Sequence, residues 1–101
     1  VKVSVFNELN EFCYKNDIPY SAAVKLIGAD ERIGMSHTAV PGPDGHRGYG
    51  GTCFPKDVCS MLHQLKKSKC NSIVLKAAEK RNTTVDRTEK DWEENKGRAV
   101  S

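Results

Sequence analysis

Apolar positions along the chain fall into four helical patterns, separated by polar or glycine-rich breaks. Across residues 1–15, Val5, Leu9, Phe12 and Cys13 share one face while Glu8, Glu11 and Lys15 stand off it. That is the 3.6-residue period of an amphipathic helix. Asp17-Ile18-Pro19-Tyr20 interrupts it, and Ser21 reads as the N-cap of a short helix from Ala22 to Ile27, closed by Gly28. Residues 29–54 are rich in glycine, include Pro41 and Pro43, and show little periodicity. A loop of that length in a small domain is usually functional or disordered. Pro55 then opens a helix to about Lys69, with Val58, Met61, Leu62 and Leu65 at i, i+3, i+4 and i+7. A last helix is expected from about Asn71 to about Asn82, with Ile73, Val74, Ala77 and Ala78 turned inward. Residues 83–101 are polar, with Val85 and Trp92 as the large apolar anchors before Val100, and predict a ragged helix or an extended tail. The predicted class is all-α.

A chain of 101 residues supports one domain with a modest core. Its net charge of +3 comes from positive residues scattered among acids, so there is no stripe for nucleic acid. No apolar run approaches the roughly 20 residues that span a bilayer, and no secretory leader stands at the start. No membrane partner is therefore expected. The cysteines at 13, 53, 59 and 70 form no compact disulfide framework, which favours free thiols and a reducing, cytoplasmic setting. Val1 enters directly into helix-like sequence with neither Met nor N-cap. The expectation is a fragment, a processed product or a first helix that has been cut.

The densest chemistry lies in Gly48-Tyr49-Gly50-Gly51-Thr52-Cys53-Phe54-Pro55-Lys56-Asp57. A glycine-rich stretch lets a substrate approach the backbone closely. Cys53 stands just before a helix N-terminus with Lys56 nearby, a setting that lowers a thiol pKa and favours the nucleophilic thiolate. A single cysteine before a helix is, taken alone, more often structural. Asp57 lies one turn further on, where it either positions a water or simply serves the helix dipole. Cys59 and His63 have i, i+4 spacing, but no second pair completes a metal site. Cys13 and Cys70 read as structural, and His37 as a solvated loop residue. The glycines form neither a P-loop nor a GxGxxG dinucleotide fingerprint.

The ten-residue string closely resembles the catalytic-cysteine segment of the UDP-glucose/GDP-mannose dehydrogenase family. Phe6-Asn7-Glu8-Leu9, Gly28-Ala29-Asp30-Glu31-Arg32-Ile33-Gly34 and Pro41-Gly42-Pro43-Asp44-Gly45 agree in the same order. The resemblance runs from residue 1 to about 100, is weakest at residues 96–100, and covers only the family's central helical domain. Phe-Pro-Lys-Asp after the cysteine is closer to the UDP-glucose branch than to the N-acetylmannosamine branch, which typically lacks the lysine. GDP-mannose enzymes usually carry Leu where Phe54 stands.

The resemblance implies a small helical dimerisation domain with a long glycine-rich active-site loop, like the C-terminal domain of 6-phosphogluconate dehydrogenase. It implies oxidation of UDP-glucose to UDP-glucuronate, with NAD as cofactor and a homodimer as the working assembly. Cys53 would be the nucleophile, holding the aldehyde as a thiohemiacetal and then as a thioester that water cleaves. Asp57 would position that water or take a proton. Lys56 would raise the thiolate population and stand with Cys53 beside the nicotinamide. Arg32 would reach the partner's sugar nucleotide, for which a planar guanidinium is suited. The stretch Asp44, Gly45, His46, Arg47, Gly48, Tyr49 and Gly50 would border the glucose, although Tyr49 also reads as packing and His46 as a solvated histidine.

Two functional parts of the family pattern are not found in residues 1–101. These are the Rossmann NAD domain and the C-terminal nucleotide-sugar domain. The lysine and asparagine that the family places four residues apart on its first central helix would fall just before Val1, and Lys2 replaces neither. Three readings stay open: the catalytic segment of a UDP-glucose dehydrogenase, the same segment of an enzyme for GDP-mannose or another UDP-sugar, or a free-standing helical dimerisation module without activity.

Overall fold

The computed structural model describes residues 1–51 and 54–88. Among these are four α-helices, α1 (Lys2–Lys15), α2 (Tyr20–Gly28), α3 (Phe54–Lys67) and α4 (Ile73–Arg81), and no strand. The all-α expectation therefore holds. The chain divides into two compact units, one running from Lys2 to Gly48 and the other from Tyr49 onward. Trp92 and the expected tail beyond residue 88 lie outside the described residues.

In the first unit α1 packs on α2. The end of α1 is set by Asp17, whose φ of 55° turns the chain left-handed. Ile18 N–H then reaches back to the Cys13 carbonyl at 2.9 Å, and Asp17 N–H to that of Tyr14 at 3.5 Å. This is a Schellman closure, made here by aspartate where glycine is usual. Helix α2 starts earlier than Ala22: Pro19 precedes it with extended backbone, and Ser21 lies within its first turn without acting as a cap. Nor does Gly28 close it through a left-handed turn. It is the last helical residue, buried where an added Cβ would lie 2.2 Å from Met35 Sδ.

The face of α1 differs from the expected one. Cys13 is buried, but Val5 and Phe12 are 52% and 57% exposed and Leu9 is half-buried. The buried stripe instead carries Ser4, Phe6, Asn7 and Cys13. Asn7 is buried although it is polar. Its amide Nδ2 donates to the Val3 carbonyl at 2.8 Å, and Oδ1 accepts the Gly48 N–H at 3.0 Å, which makes burial tolerable.

In the second unit α3 packs on α4. Helix α3 begins one residue before Pro55, carries Asp57 in its first turn and Lys66 and Lys67 in its last, and so complements its dipole at both ends. It stops at Lys67, two residues short of the expected end. Lys69, at φ 57°, makes a second Schellman closure, with Cys70 N–H on the Leu65 carbonyl at 2.9 Å. Val58, Leu62 and Leu65 are half-buried, whereas Met61 is exposed. In α4, Ala78 is buried as expected, but Ala77 is exposed and Ile73 and Val74 are 76% and 65% exposed. The helix starts at Ile73, so its first two apolar residues occupy an end turn with little to pack against.

Helix α4 does not end in a simple cap. It widens into a π-helical turn, Asn82–Asp86, where Arg87 N–H reaches the Asn82 carbonyl at 2.7 Å. The five-residue spacing brings Arg81 Nε to Asp86 Oδ2 at 3.1 Å, an ion pair with Asp86 buried. Thr83 Oγ1 donates to the Glu79 carbonyl at 3.0 Å, and Thr84 Oγ1 to that of Lys80. Such back-bonding hydroxyls are a recognised cause of helix distortion.

Candidate functional site

The glycine-rich loop is shaped first by its own backbone. Gly42 N–H donates to the His46 carbonyl and Gly45 N–H to that of Gly42, each at 2.9 Å, while Asp44 Oδ1 accepts the His46 N–H at 3.0 Å. Gly45 has φ 80° with open space where a Cβ would stand, so the turn requires glycine for conformation rather than for room. Gly48 and Gly51 are also left-handed.

Side chains from the first unit tie this loop to α1. Arg47 Nη1 donates to Asn10 Oδ1 at 2.7 Å, and Nη2 to the Asn7 carbonyl at 3.2 Å. Arg47, expected at the sugar, thus spends at least two donors on the helix that holds its own loop. Asn7 takes the next residue through the Gly48 N–H. In the same unit Tyr20 Oη donates to the Thr38 carbonyl, which ties α2 to the loop, and burial of that phenol pushes its pKa up.

In the second unit the loop enters a buried environment at Tyr49. Its N–H donates to Asn82 Oδ1 at 2.8 Å and its carbonyl accepts from Asn82 Nδ2 at 2.9 Å. Its ring meets that of Phe54 edge-on, with centroids 6.3 Å apart and planes at 73°. Burial, then the Glu79 carboxylate and the Cys59 thiol, push the Tyr49 hydroxyl up to about 12. Cys59 Sγ lies 3.7 Å from Glu79 Oε2, and burial together with that carboxylate also raises the thiol pKa. Cys59 is thus a protonated donor linking α3 to α4. Cys13, Cys59 and Cys70 are free thiols, and among the described residues no three His, Cys, Asp or Glu side chains group as a metal site.

Cys53, the expected nucleophile, lies outside the described residues. Lys56 and Asp57 are exposed on the first turn of α3. Asp44, Gly45 and His46 share one exposed turn, Gly50 is half-buried and Tyr49 is buried. Arg32 is exposed and held by Asp30 through two side-chain contacts, Nε to Oδ1 at 3.0 Å and Nη2 to Oδ2 at 2.7 Å. Those contacts lower the aspartate pKa and raise that of the arginine. Arg32 also lines a cavity of about 480 Å³ with Lys2, Val5, Leu9, Ile27 and Ile33. The structure therefore groups the turn Asp44–Gly48 with α1, and Tyr49 with α3 and α4. The residues that do the holding, Asn10 and Asn82 above all, carried no chemistry in the sequence reading. The one available signal was asparagine inside helical sequence, where its propensity is poor.

Residues 1–84 match the family described as UDP-glucose/GDP-mannose dehydrogenase, central domain. The UDP-glucose 6-dehydrogenase of Pseudomonas aeruginosa is 35% identical over 81 residues, covering 80% of this chain and 17% of that protein. The UDP-glucose 6-dehydrogenase of Rickettsia bellii is 34% identical over 76 residues, 75% of this chain and 16% of that protein. That of Campylobacter jejuni is 34% identical over 62 residues, 61% of this chain and 14% of that protein. No solved structure matches. The chain spans about a sixth of the length of the first two of these relatives. With 84 residues matched in sequence and an all-helical architecture, the chain belongs to the UDP-glucose/GDP-mannose dehydrogenase family, through that family's central domain.

Proposed function

We propose that residues 1–101 are the central, dimerising and cysteine-bearing domain of an NAD-dependent UDP-glucose 6-dehydrogenase, which works in the cytoplasm and makes UDP-glucuronate. One observation carries this reading: the string Gly48 to Asp57 lies inside the matched residues 1–84. NAD⁺ has no fitting site among these residues, since no GxGxxG occurs and the described residues include no strand. It would bind residues outside these 101 and supply the hydride acceptor.

The roles assigned to this chain concern the sugar. The Cys53 thiolate adds to the C6 aldehyde, forming a C–S bond that keeps the aldehyde captive as a thiohemiacetal. After the second oxidation the same bond belongs to a thioester. Water, positioned by Asp57, attacks its carbonyl carbon, the C–S bond breaks, and the thiolate and the carboxylate product separate. Lys56 supports the thiolate. The Asp44–Gly50 stretch borders the sugar, with Gly45, Gly48 and Gly50 leaving its backbone open to approach. Arg32 serves the partner protomer's substrate in a homodimer formed through the exposed face of α1.

The test is NADH formation from UDP-glucose by the natural full-length chain that carries these residues, with Cys53→Ser as control. Turnover by the wild type, lost in Cys53→Ser, is expected. The 101-residue chain alone should form no NADH. A second arm is brief iodoacetamide labelling of the 101-residue chain, in which Cys53 should react ahead of Cys13, Cys59 and Cys70. Cys53 labelled last would remove the nucleophile assignment.

A further inference from the structure

We infer that Asn82 is a positioning residue for this reaction, resting on the UDP-glucose reading above: its side-chain amide fixes the Tyr49 backbone in the stretch that borders the sugar. Asn82 is completely buried, and both heteroatoms of its amide are spent on the backbone of one residue, bonding the peptide groups on either side of the Tyr49 Cα. Oδ1 takes the Tyr49 N–H at 2.8 Å and Nδ2 gives to the Tyr49 carbonyl at 2.9 Å. A single hydrogen bond would leave that backbone free to swing. Two opposed bonds fix its position and rotation together, much as a neighbouring strand fixes a residue in an antiparallel ladder.

The local helix is built around this residue. Asparagine is a poor helix former, because its amide competes for nearby backbone groups. Here the amide serves a residue 33 positions away, and the helix widens into its π turn at Asn82 itself. Single π turns inside helices occur frequently at functional sites. The Tyr49 ring, also buried, packs on Phe54 at the start of α3. The amide thus acts on the backbone four residues before Cys53 in sequence, and that backbone carries the ring which meets the residue following Cys53. No alanine or aliphatic residue at 82 reproduces this pairing, and it would leave both Tyr49 backbone groups buried without their partner.

The experiment uses the natural full-length chain with Asn82→Ala and with the near-isosteric Asn82→Asp, which keeps the acceptor for the Tyr49 N–H and loses the donor to its carbonyl. For Asn82→Ala, KM for UDP-glucose should rise and kcat should fall, together lowering kcat/KM about 100-fold, the scale of a misplacement of about 1 Å. KM for NAD⁺ should stay unchanged, and Asn82→Asp should fall between the two. A loss confined to kcat, with both KM values unchanged, is what partial misfolding gives and overturns the inference. So do wild-type kinetics in both variants. If Asn82→Ala does not fold, Asn82→Asp decides by the same criteria. A wild-type chain inert toward UDP-glucose overturns the UDP-glucose reading and the inference with it. An active wild type matched by its variants overturns the inference alone.

Discussion

Tyr49 and Asn82 share two hydrogen bonds across 33 residues of sequence, backbone on one side and a side-chain amide on the other. Asn7 does half of the same for Gly48, taking its N–H at 3.0 Å. A glycine-rich loop has no strand or helix of its own to satisfy its peptide groups, yet a buried N–H or C=O must be satisfied. Two asparagines, one on α1 and one where α4 widens, supply the missing partners at successive residues. In each unit an asparagine borne by a helix thereby adds an anchor to what the loop's own turn hydrogen bonds fix.

The Tyr49 hydroxyl gives the first prediction. Its folded pKa of about 12 stands above the 10.0 of an ordinary tyrosine, chiefly through burial. The folded state therefore holds this proton more tightly than the unfolded state. Its contribution to stability is complete below about pH 10 and is lost as pH rises toward about 12. Urea unfolding across this range should show stability falling with pH, and Tyr49→Phe should fall less steeply. Superimposable slopes would contradict the burial of this hydroxyl.

Cys59 gives the second. Burial and the Glu79 carboxylate raise its thiol pKa, so little thiolate is present near neutrality. Glu79→Gln removes the negative charge and keeps the size. Iodoacetamide should then label Cys59 severalfold faster at neutral pH, with the exposed Cys70 as internal reference. An unchanged Cys59 to Cys70 ratio would show that Glu79 does not hold this thiol.

These contacts mark the limit of what the sequence discloses. Helix positions were legible because apolar spacing is a local signal: α1 was placed within a residue at each end, and α3 within one residue at its start. Faces were less legible. Val5, Phe12, Ile73 and Val74 are apolar but exposed, and Asn7 and Asn82 are polar but buried, because burial depends on partners distant in sequence. Neither left-handed closure carries a glycine: Pro19 still marked the end of α1, whereas Lys69 gave no stop signal. The π turn was hidden for a related reason, since the widening depends on Arg87 reaching back five residues to Asn82.

The third prediction follows from those glycine-free closures. Lys69 sits at φ 57°, a left-handed conformation that costs a residue with a Cβ roughly 1–2 kcal/mol. Lys69→Gly relieves this but enlarges the conformational freedom of the unfolded chain, which takes back part of the gain. The net expectation is about 0.5–1 kcal/mol of added stability by urea denaturation, with Gly45→Ala (φ 80°) shifting by a comparable amount the other way. Destabilisation by Lys69→Gly would mean that the α3 terminus closes differently in solution.

The fourth concerns the apolar side of α1. Val5 and Phe12 are more than half exposed, and Leu9 lines the same cavity as Val5, Ile27 and Ile33. Burying one large apolar side chain is worth roughly 1.5–3 kcal/mol, and two-fold symmetry counts every such residue twice. A face of this kind on a small chain gains most by meeting its own copy, and Arg32 in the same cavity would be carried to the interface with it. The isolated 101-residue chain should therefore sediment at about twice its 11.2 kDa at micromolar concentration and dissociate on dilution. Phe12→Glu places two carboxylates in that interface, one from each copy, and should give the single-chain mass throughout the same range. A wild-type chain that stays at 11.2 kDa even at high micromolar concentration would sink both the dimer and the cross-protomer role of Arg32. A dimer unaffected by Phe12→Glu would move the interface away from α1 and leave this apolar face without its assigned partner.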